Sequence, residues 1–129
     1  MVNCIVTNVR KNSKLDDDFY PTPPNATRAL LDKECLDLTW SYLEPCCGDG
    51  AISKVLEDYG IKNITSSDLI DRGYGSVVDL MAIQSTYDVV ITNPAFSKIK
   101  DHFDKLYSLA DKKLILLLRT LFVEGKWVS

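Results

Sequence analysis

The sequence predicts an α/β fold with a mostly parallel sheet of about five strands. Two short apolar runs, at residues 87–92 and 114–118, have the composition of buried strands. Segments whose apolar residues repeat at helical spacing separate the predicted strands. Strands that alternate with helices are joined by right-handed crossovers, so we expect these strands to run parallel.

The ends of the chain and its length indicate one domain with an N-terminal extension. Residues 1–18 are polar and become acidic at Asp16–Asp18, so we expect an extended arm there. The domain is then expected to span residues 19–129, a length typical of a single domain. No apolar run approaches the roughly 18 residues of a membrane span, and the first residues lack the basic lead of a signal peptide. We therefore expect a cytoplasmic protein with no membrane partner.

The predicted elements follow local patterns of spacing and turn residues. The helix at 51–59 has its apolar positions on one face and Gly60 at its end, while prolines and a capping residue, Thr22 or Asn25, mark the start of the first helix. In chain order we expect a helix at 26–32, a strand at 42–44, the helix at 51–59, strands at 64–68, near 77–78 and at 87–92, a helix capped by Ser97, and a strand at 114–118.

The cysteine content and the net charge exclude few classes of function. The four cysteines form no CxxC pair, and one histidine is present, so a metal site is not expected. Adjacent Cys46 and Cys47 suit neither one metal ion nor an ordinary disulfide, and reduced, packed thiols are the expectation. The formal net charge of −3 gives no overall attraction to nucleic acid. A local patch of lysines would still suffice for binding.

The most informative stretch is Asn93-Pro94-Ala95-Phe96, directly after a predicted buried strand. It places an amide oxygen, a backbone carbonyl and an aromatic face close together. Two oxygens accept both hydrogens of a planar amino group, and a ring stacks on its π system. The same stretch is also compatible with a strand that proline simply ends at a turn.

Glycines and acids follow the neighbouring predicted strands, where ligands bind in open parallel sheets. Gly48 and Gly50 lie between a strand and a helix, a pattern that allows a tight turn and favours an anionic group at the helix N-terminus. Position 53 is serine rather than the third glycine of the dinucleotide fingerprint, which disfavours a dinucleotide. Asp68, at the end of the next strand, is placed to accept from both hydroxyls of a ribose or to act as a turn acid at the strand end.

Two further acids have less specific positions. Asp79 ends the following short strand, where it would meet an adenine amino group or act as a turn or cap residue. Glu44 precedes the glycine turn, where it would hold an ammonium group, and burial there would require some partner. Together with the glycines, the acids describe a pocket for a ribose-bearing adenine ligand with a zwitterionic tail, beside a site for an amine.

These motifs resemble the S-adenosylmethionine-dependent amino-group methyltransferases, closest to the phage-type DNA N6-adenine methyltransferases. The resemblance covers residues 19 to about 125. Its strength lies in the order and spacing of the motifs, which are residues 19–24, 44–50, 67–68, 79–80, 93–96 and 117–119. It implies a Rossmann-like methyltransferase fold, S-adenosylmethionine as cofactor, and location in the cytoplasm, that of the host if a phage encodes the chain.

The resemblance also implies roles for single residues. Asn93 and the Pro94 carbonyl would hold the substrate amine, and Phe96 would stack on the base. The cofactor would be bound by Tyr20, Thr22, Glu44, Gly48, Gly50, Asp68 and Asp79, with Thr22 on its carboxylate. The implied reaction is methylation of N6 of adenine in DNA, with the base flipped out of the duplex.

Alternatives remain open at this point. The same motif suits RNA bases or the side-chain amide of a protein glutamine, and a catalytically silent module would bind the cofactor or a partner without transferring methyl groups. The family position filled by Ala95 is usually proline. Members of the family continue past the fifth strand with a helix and two further strands, whereas the given sequence stops soon after the strand at 114–118. We therefore expect this last strand to lie at an edge of the sheet. A second copy or a partner subunit would then cover that edge.

Overall fold

The computed structural model describes residues 2–9, 22–94 and 99–119. Within these ranges the helices are α1 (Pro24–Lys33), α2 (Ala51–Asp58) and α3 (Ile99–Leu109), and a 3₁₀ turn spans Leu80–Ala82. The strands are β1 (Asn3–Val9), β2 (Tyr42–Glu44), β3 (Ile64–Asp68), β4 (Ser76–Val77), β5 (Tyr87–Thr92) and β6 (Ala110–Arg119). No helix in the described ranges is long and apolar enough to cross a membrane.

The strands form one sheet in the order β1-β6-β5-β2-β3-β4. Each pair of neighbouring strands in this sheet is parallel. The predicted α/β fold with a mostly parallel sheet is therefore confirmed. Because the strands are parallel, their carboxyl ends meet at one edge of the sheet, which is where the sequence places the candidate site residues.

The first strand differs from the sequence-based expectation. Residues 3–9 were expected in an arm, but they form β1 and pair with β6 from Asn3 opposite Lys113 to Val9 opposite Arg119. The sheet thus has six described strands, and β6 lies between β5 and β1 rather than at an open edge. The expectation that the last strand lies at a sheet edge is therefore wrong. The rest of the expected arm, residues 10–18, lies outside the described residues, and the boundaries of arm and domain stay predictions.

Apolar side chains cover both faces of the sheet and form two core clusters. The alternation is clearest in β5, where Val89 and Ile91 face α1 and α2 while Val90 faces α3. All three side chains are fully buried. A strand buried on both faces reads as a continuous apolar run, so the composition of this segment follows from its central position.

A reciprocal hydrogen-bond pair fixes the register where β2 and β5 begin. The backbone N–H of Ser41 donates to Asp88 Oδ2 over 3.0 Å, and the backbone N–H of Asp88 donates to Ser41 Oγ over 3.0 Å. Tyr42 then lies opposite Val89. A register shift of one residue would turn buried side chains to the other face, so this pair helps to hold both strand ends in line.

The start of α1 is set by prolines and not by a capping side chain. Pro23 is the N-cap residue, Pro24 is the first helical residue, and no described side chain bonds to the free amides of the first turn. The expected capping by Thr22 or Asn25 is therefore wrong. Proline suits the first helical position because its fixed φ fits the helix and its missing N–H would have no partner there. The hydroxyl of Thr22 is consequently not engaged by the helix.

We predict that Thr27→Val stabilises the protein by about 1 kcal/mol. Thr27 lies in α1 and is fully buried, and its hydroxyl oxygen has no hydrogen-bond partner among the described residues. Replacing the hydroxyl with a methyl group removes the free-energy cost of burying an unpaired polar group. Urea unfolding of both proteins measures the difference. Destabilisation by the substitution would contradict the prediction and indicate a bound water or another partner for the hydroxyl.

Candidate functional site

The candidate site lies at the carboxyl edge of the sheet, where β5, β2 and β3 are neighbours. Glu44 ends β2, Asp68 ends β3, and Asn93 follows β5 directly. Since these strands are adjacent and parallel, the three side chains belong to one edge. The structure thus brings together the acids and the amide that the sequence assigned to one pocket.

Asp68 holds the glycine turn against the end of β3. Its Oδ2 accepts a hydrogen bond from the backbone N–H of Gly48 over 2.8 Å, and its Oδ1 accepts from Ile70 N over 3.1 Å. A carboxylate has about four acceptor positions. Two backbone bonds therefore leave acceptor capacity for hydroxyl groups of a ligand, and they also give Asp68 the strand-end turn role that the sequence left open.

The turn itself is built on residues with left-handed backbone conformations. Gly48 has φ 56° and Gly50 has φ 89°, and Gly50 is the N-cap residue of α2. No described side chain caps this helix. The amides of its first turn are therefore available to a carboxylate or other anion, which the helix dipole also favours.

Glycine at position 50 is required by an aromatic ring as well as by its φ. A Cβ built on Gly50 would lie 2.6 Å from ring atoms of Tyr74. The Tyr74 hydroxyl donates to Glu57 Oε2 over 3.1 Å, and the Lys54 ammonium lies 5.4 Å from the ring centroid. Tyr74 thus packs the loop between β3 and β4 against the start of α2.

A buried chain of polar groups connects α2 to two strands. The Ser53 hydroxyl donates to Glu44 Oε1 over 2.8 Å, and because this uses its one hydrogen, its oxygen accepts from the Ser66 hydroxyl over 2.7 Å. Glu44 and Ser53 are both buried. Sequence reasoning treated Ser53 only as a missing glycine, whereas the structure shows that its hydroxyl is the partner that buried Glu44 requires.

The pKa of Glu44 is raised to about 8, chiefly by burial and also by the nearby negative charge of Asp68. Hydrogen bonds, above all the one from Ser53, oppose this rise only in part. Glu44 is therefore protonated at neutral pH. A cationic group placed beside it would favour the ionised form. The predicted role of Glu44 toward an ammonium group fits this environment, although the bond to Ser53 is the contact that the structure shows.

The two adjacent thiols are poor nucleophiles. Burial raises the pKa of Cys46 and of Cys47 to about 12. The thiolate is the reactive form of cysteine, so both residues stay neutral and unreactive near pH 7. All four cysteines of the chain are free.

Asn93 is anchored by Thr22. The side-chain Nδ2 of Asn93 donates to Thr22 Oγ1 over 2.8 Å, which joins residues 71 positions apart. Thr22 is buried, Asn93 is half-buried and Pro94 is buried. Phe96 and Tyr20, two further predicted site residues, lie outside the described residues, so their roles stay predictions. The contact between Thr22 and Asn93 was not predicted from the sequence.

Asp79 is a capping residue. It is the N-cap of the 3₁₀ turn, and its Oδ1 accepts from the backbone N–H of Met81 over 2.9 Å. This is the cap alternative that the sequence left open. The adenine-edge role of Asp79 stays a prediction.

Two buried polar atoms at this edge have no hydrogen-bond partner among the described residues. They are Asp49 Oδ1 in the glycine turn and Ser67 Oγ near the end of β3. Buried polar atoms are normally paired. Their clustering at the carboxyl ends of the strands, beside the helix N-terminus and the two acids, fits a polar ligand with hydroxyl, ammonium and carboxylate groups. S-adenosylmethionine has all three.

One solved structure identifies the fold. The crystal structure of a candidate RNA methyltransferase from Pyrococcus horikoshii matches this chain with a TM-score of 0.62 at 22% sequence identity. The chain has a Rossmann-like methyltransferase fold. The match covers 81% of this chain and 65% of that one, so the chain spans just under two thirds of its neighbour's length. No protein-family model and no curated protein sequence matches the chain.

We predict that Gly50→Ala destabilises this methyltransferase-type fold by at least about 1 kcal/mol more than Gly73→Ala. Both glycines have a positive φ, 89° and 86°, so both substitutions introduce similar backbone strain. A Cβ at Gly73 meets no atom within 4 Å, whereas a Cβ at Gly50 meets the Tyr74 ring. Chemical denaturation measures the difference, and equal losses would contradict the role of the ring. In a Tyr74→Ala background the excess cost of Gly50→Ala should disappear.

Glu44 predicts a specific pH dependence of stability. Its pKa is raised from 4.5 to about 8 on folding. The folded state therefore binds this proton more tightly, and its contribution to stability is complete below about pH 4.5 and is lost as the pH rises to about 8.

Glu44→Gln removes this titration and retains a group that can bond to Ser53. We expect the substitution to raise the free energy of unfolding at pH 8, relative to wild type, by on the order of a few kcal/mol. The gain should shrink toward pH 4.5. Unfolding curves at intervals between pH 4.5 and 9 test this, with half-buried Glu34→Gln as the control that keeps the wild-type slope. If the free energy of unfolding of Glu44→Gln changed with pH as it does in wild type, Glu44 would already be ionised in the folded wild-type protein over this pH range.

Proposed function

We propose that this protein transfers the methyl group of S-adenosylmethionine to an amino group, with N6 of adenine in DNA as the acceptor. The observation that carries the proposal is the position of Asn93. Its anchored amide follows β5 at the same sheet edge as the glycine turn of β2 and the Asp68 carboxylate. The group that would accept the hydrogens of the substrate amine would then lie next to the pocket for the nucleoside part of the cofactor. Methyl transfer from the cofactor to the amine requires this proximity.

The donor groups support S-adenosylmethionine as the cofactor. The uncapped start of α2 suits the carboxylate of its methionine part, and Glu44 suits the ammonium group. Asp68 retains acceptor capacity for the ribose hydroxyls. When bound, this cofactor supplies a methyl group already activated by a positively charged sulfur.

Asn93 and Pro94 would then act on the acceptor. The Asn93 side-chain oxygen and the Pro94 carbonyl would accept the two hydrogens of the amine, which localises the nitrogen lone pair and directs it toward the methyl carbon. With the cofactor held by Asp68, Glu44 and the start of α2, its sulfonium would supply the methyl group and leave as a neutral thioether, and the methylated nitrogen would release one proton to solvent. No base is needed before transfer, so positioning provides most of the rate enhancement. Phe96 would stack on the base, which must leave the duplex to enter the pocket.

RNA is the second candidate substrate. The fold neighbour from Pyrococcus horikoshii is described as a candidate RNA methyltransferase, and its likeness to this chain supports the same methyl transfer on an RNA base. Contacts outside the amine pocket separate RNA from DNA, above all those to the 2′-hydroxyl. The two substrates therefore share the roles proposed for Asn93 and Asp68.

We predict that labelled methyl enters unmethylated DNA as N6-methyladenine, and that Asn93→Ala lowers kcat about 100-fold or more. RNA and protein are tested in parallel as acceptors. Asn63→Ala is the matched control, because Asn63 is exposed and precedes β3 at the opposite edge of the sheet. Its activity should equal that of wild type.

The cofactor pocket is tested separately by calorimetry. Asp68→Ala should weaken binding of S-adenosylmethionine about 10- to 100-fold, since hydrogen bonds to a charged group are lost. Asn93→Ala should bind the cofactor nearly as wild type does. Normal cofactor binding by Asp68→Ala would refute the ribose assignment. Cofactor binding without transfer to any acceptor would favour the catalytically silent module.

A further inference from the structure

We infer that Thr22 is a positioning residue for Asn93, holding the side-chain amide so that its oxygen faces the acceptor amine. The inference rests on the proposed function and adds to it, because the resemblance assigns Thr22 to the cofactor alone. Its basis is the bond of 2.8 Å from Asn93 Nδ2 to Thr22 Oγ1. The contact joins the segment before α1 to the segment after β5.

The orientation of the amide decides whether Asn93 can serve an amine. An amine presents two N–H donors, so only the amide oxygen can accept from it. An amide turned by 180° would present its own N–H groups to the amine, and two donors would face each other. The bond from Nδ2 to Thr22 Oγ1 fixes which branch of the amide is the donor and therefore which branch carries Oδ1. An amide held with Oδ1 toward the amine has the productive orientation.

Thr22 is suited to this role because its hydroxyl does not cap helix α1. α1 begins at Pro24 with Pro23 as N-cap, and no described side chain caps it. Thr22 is only 3% exposed, so solvent competes little for its hydroxyl. A hydroxyl has one donor hydrogen and two acceptor positions. Thr22 can therefore accept from Asn93 and still donate its own hydrogen to a carboxylate, as the resemblance implies.

Both partners of this bond precede a proline. Thr22 is followed by Pro23, and Asn93 is followed by Pro94. A residue before proline is restricted to extended conformations, because the proline ring clashes with its backbone in the helical region. The backbones that present the hydroxyl and the amide are thus restricted before the bond forms, and little entropy is lost in aligning them. This gives a physical reason for proline at both positions.

The experiment compares Thr22→Val, which removes the hydroxyl at nearly constant size, with Thr22→Ser, which retains it. Thr27→Val is the matched control, since it makes the same chemical change at another buried threonine of the same segment. The first readout is hydrogen exchange of the Asn93 side-chain amide by nuclear magnetic resonance, with Asn93→Ala to assign the signals. It does not depend on catalysis.

We expect the Asn93 amide to exchange about tenfold faster in Thr22→Val than in wild type, as the loss of one hydrogen bond implies. Thr22→Ser and Thr27→Val should match wild type. The second readout is methyl transfer at saturating cofactor. There, Thr22→Val should lower kcat about 10- to 100-fold through misplacement of the amide, and Thr22→Ser should restore most of the loss.

The outcomes separate this inference from the proposed function. Faster exchange in Thr22→Val with unchanged kcat would overturn the positioning role while methyl transfer by wild type still supported the function. A weaker cofactor affinity with unchanged kcat would also overturn it, in favour of a cofactor contact alone. Unchanged exchange would show that the bond does not hold the amide. Absence of transfer by wild type to every acceptor would overturn the proposed function, and the catalytic role of Thr22 with it.

Discussion

Ser53 links three elements through one buried hydroxyl, and the geometry of the site depends on that link. Its bonds to Glu44 and Ser66 connect the first turn of α2 to the ends of β2 and β3. Buried Glu44 would lose its hydrogen bond from Ser53 if the link were broken, at a cost that low-dielectric surroundings increase. The helix N-terminus, the glycine turn and the two strand ends are thereby held in a fixed arrangement.

Backbone amides occupy part of the acceptor capacity of Asp68 and Asp79. Asp68 binds the amides of Gly48 and Ile70, and Asp79 binds the amide of Met81. Each carboxylate therefore shapes a turn and retains further acceptor positions. The proposed ligand-binding role would thus fall on side chains that already have a structural role, so loss of ligand affinity in a variant has to be separated from local rearrangement of its turn.

Local patterns were enough to predict the central part of the fold. The strands at 42–44, 64–68 and 87–92 were predicted with the bounds that the structure shows, because buried runs and turn residues mark them within a few positions. The residues of β1 were read as an arm, since polar and apolar residues mix there and the partner strand lies near the other end of the chain. No local pattern contains that pairing.

In the candidate site, too, local features were predictable from the sequence and contacts between separate segments were not. The residue types and their strand-end positions were predictable, because carboxyl ends of parallel strands meet at one edge. The contacts that orient the side chains were not. Ser53 and Thr22 each act through a partner distant in sequence, Glu44 or Ser66 in one case and Asn93 in the other. Hydrogen bonds between distant segments depend on the packed fold, and a linear pattern of residues does not specify them.

The pairing of β1 with β6 has a consequence for how the chain folds as it is synthesised. Of the described strands β1 is synthesised first, yet its only described partner, β6, is synthesised after all the others. The segment of β1 must therefore wait with unpaired backbone groups, while contacts within residues 22–94 can already form. Closing the sheet joins positions far apart in sequence, a step that high contact order makes slow. The strands that carry the candidate site can therefore pair with one another before β1 joins the sheet.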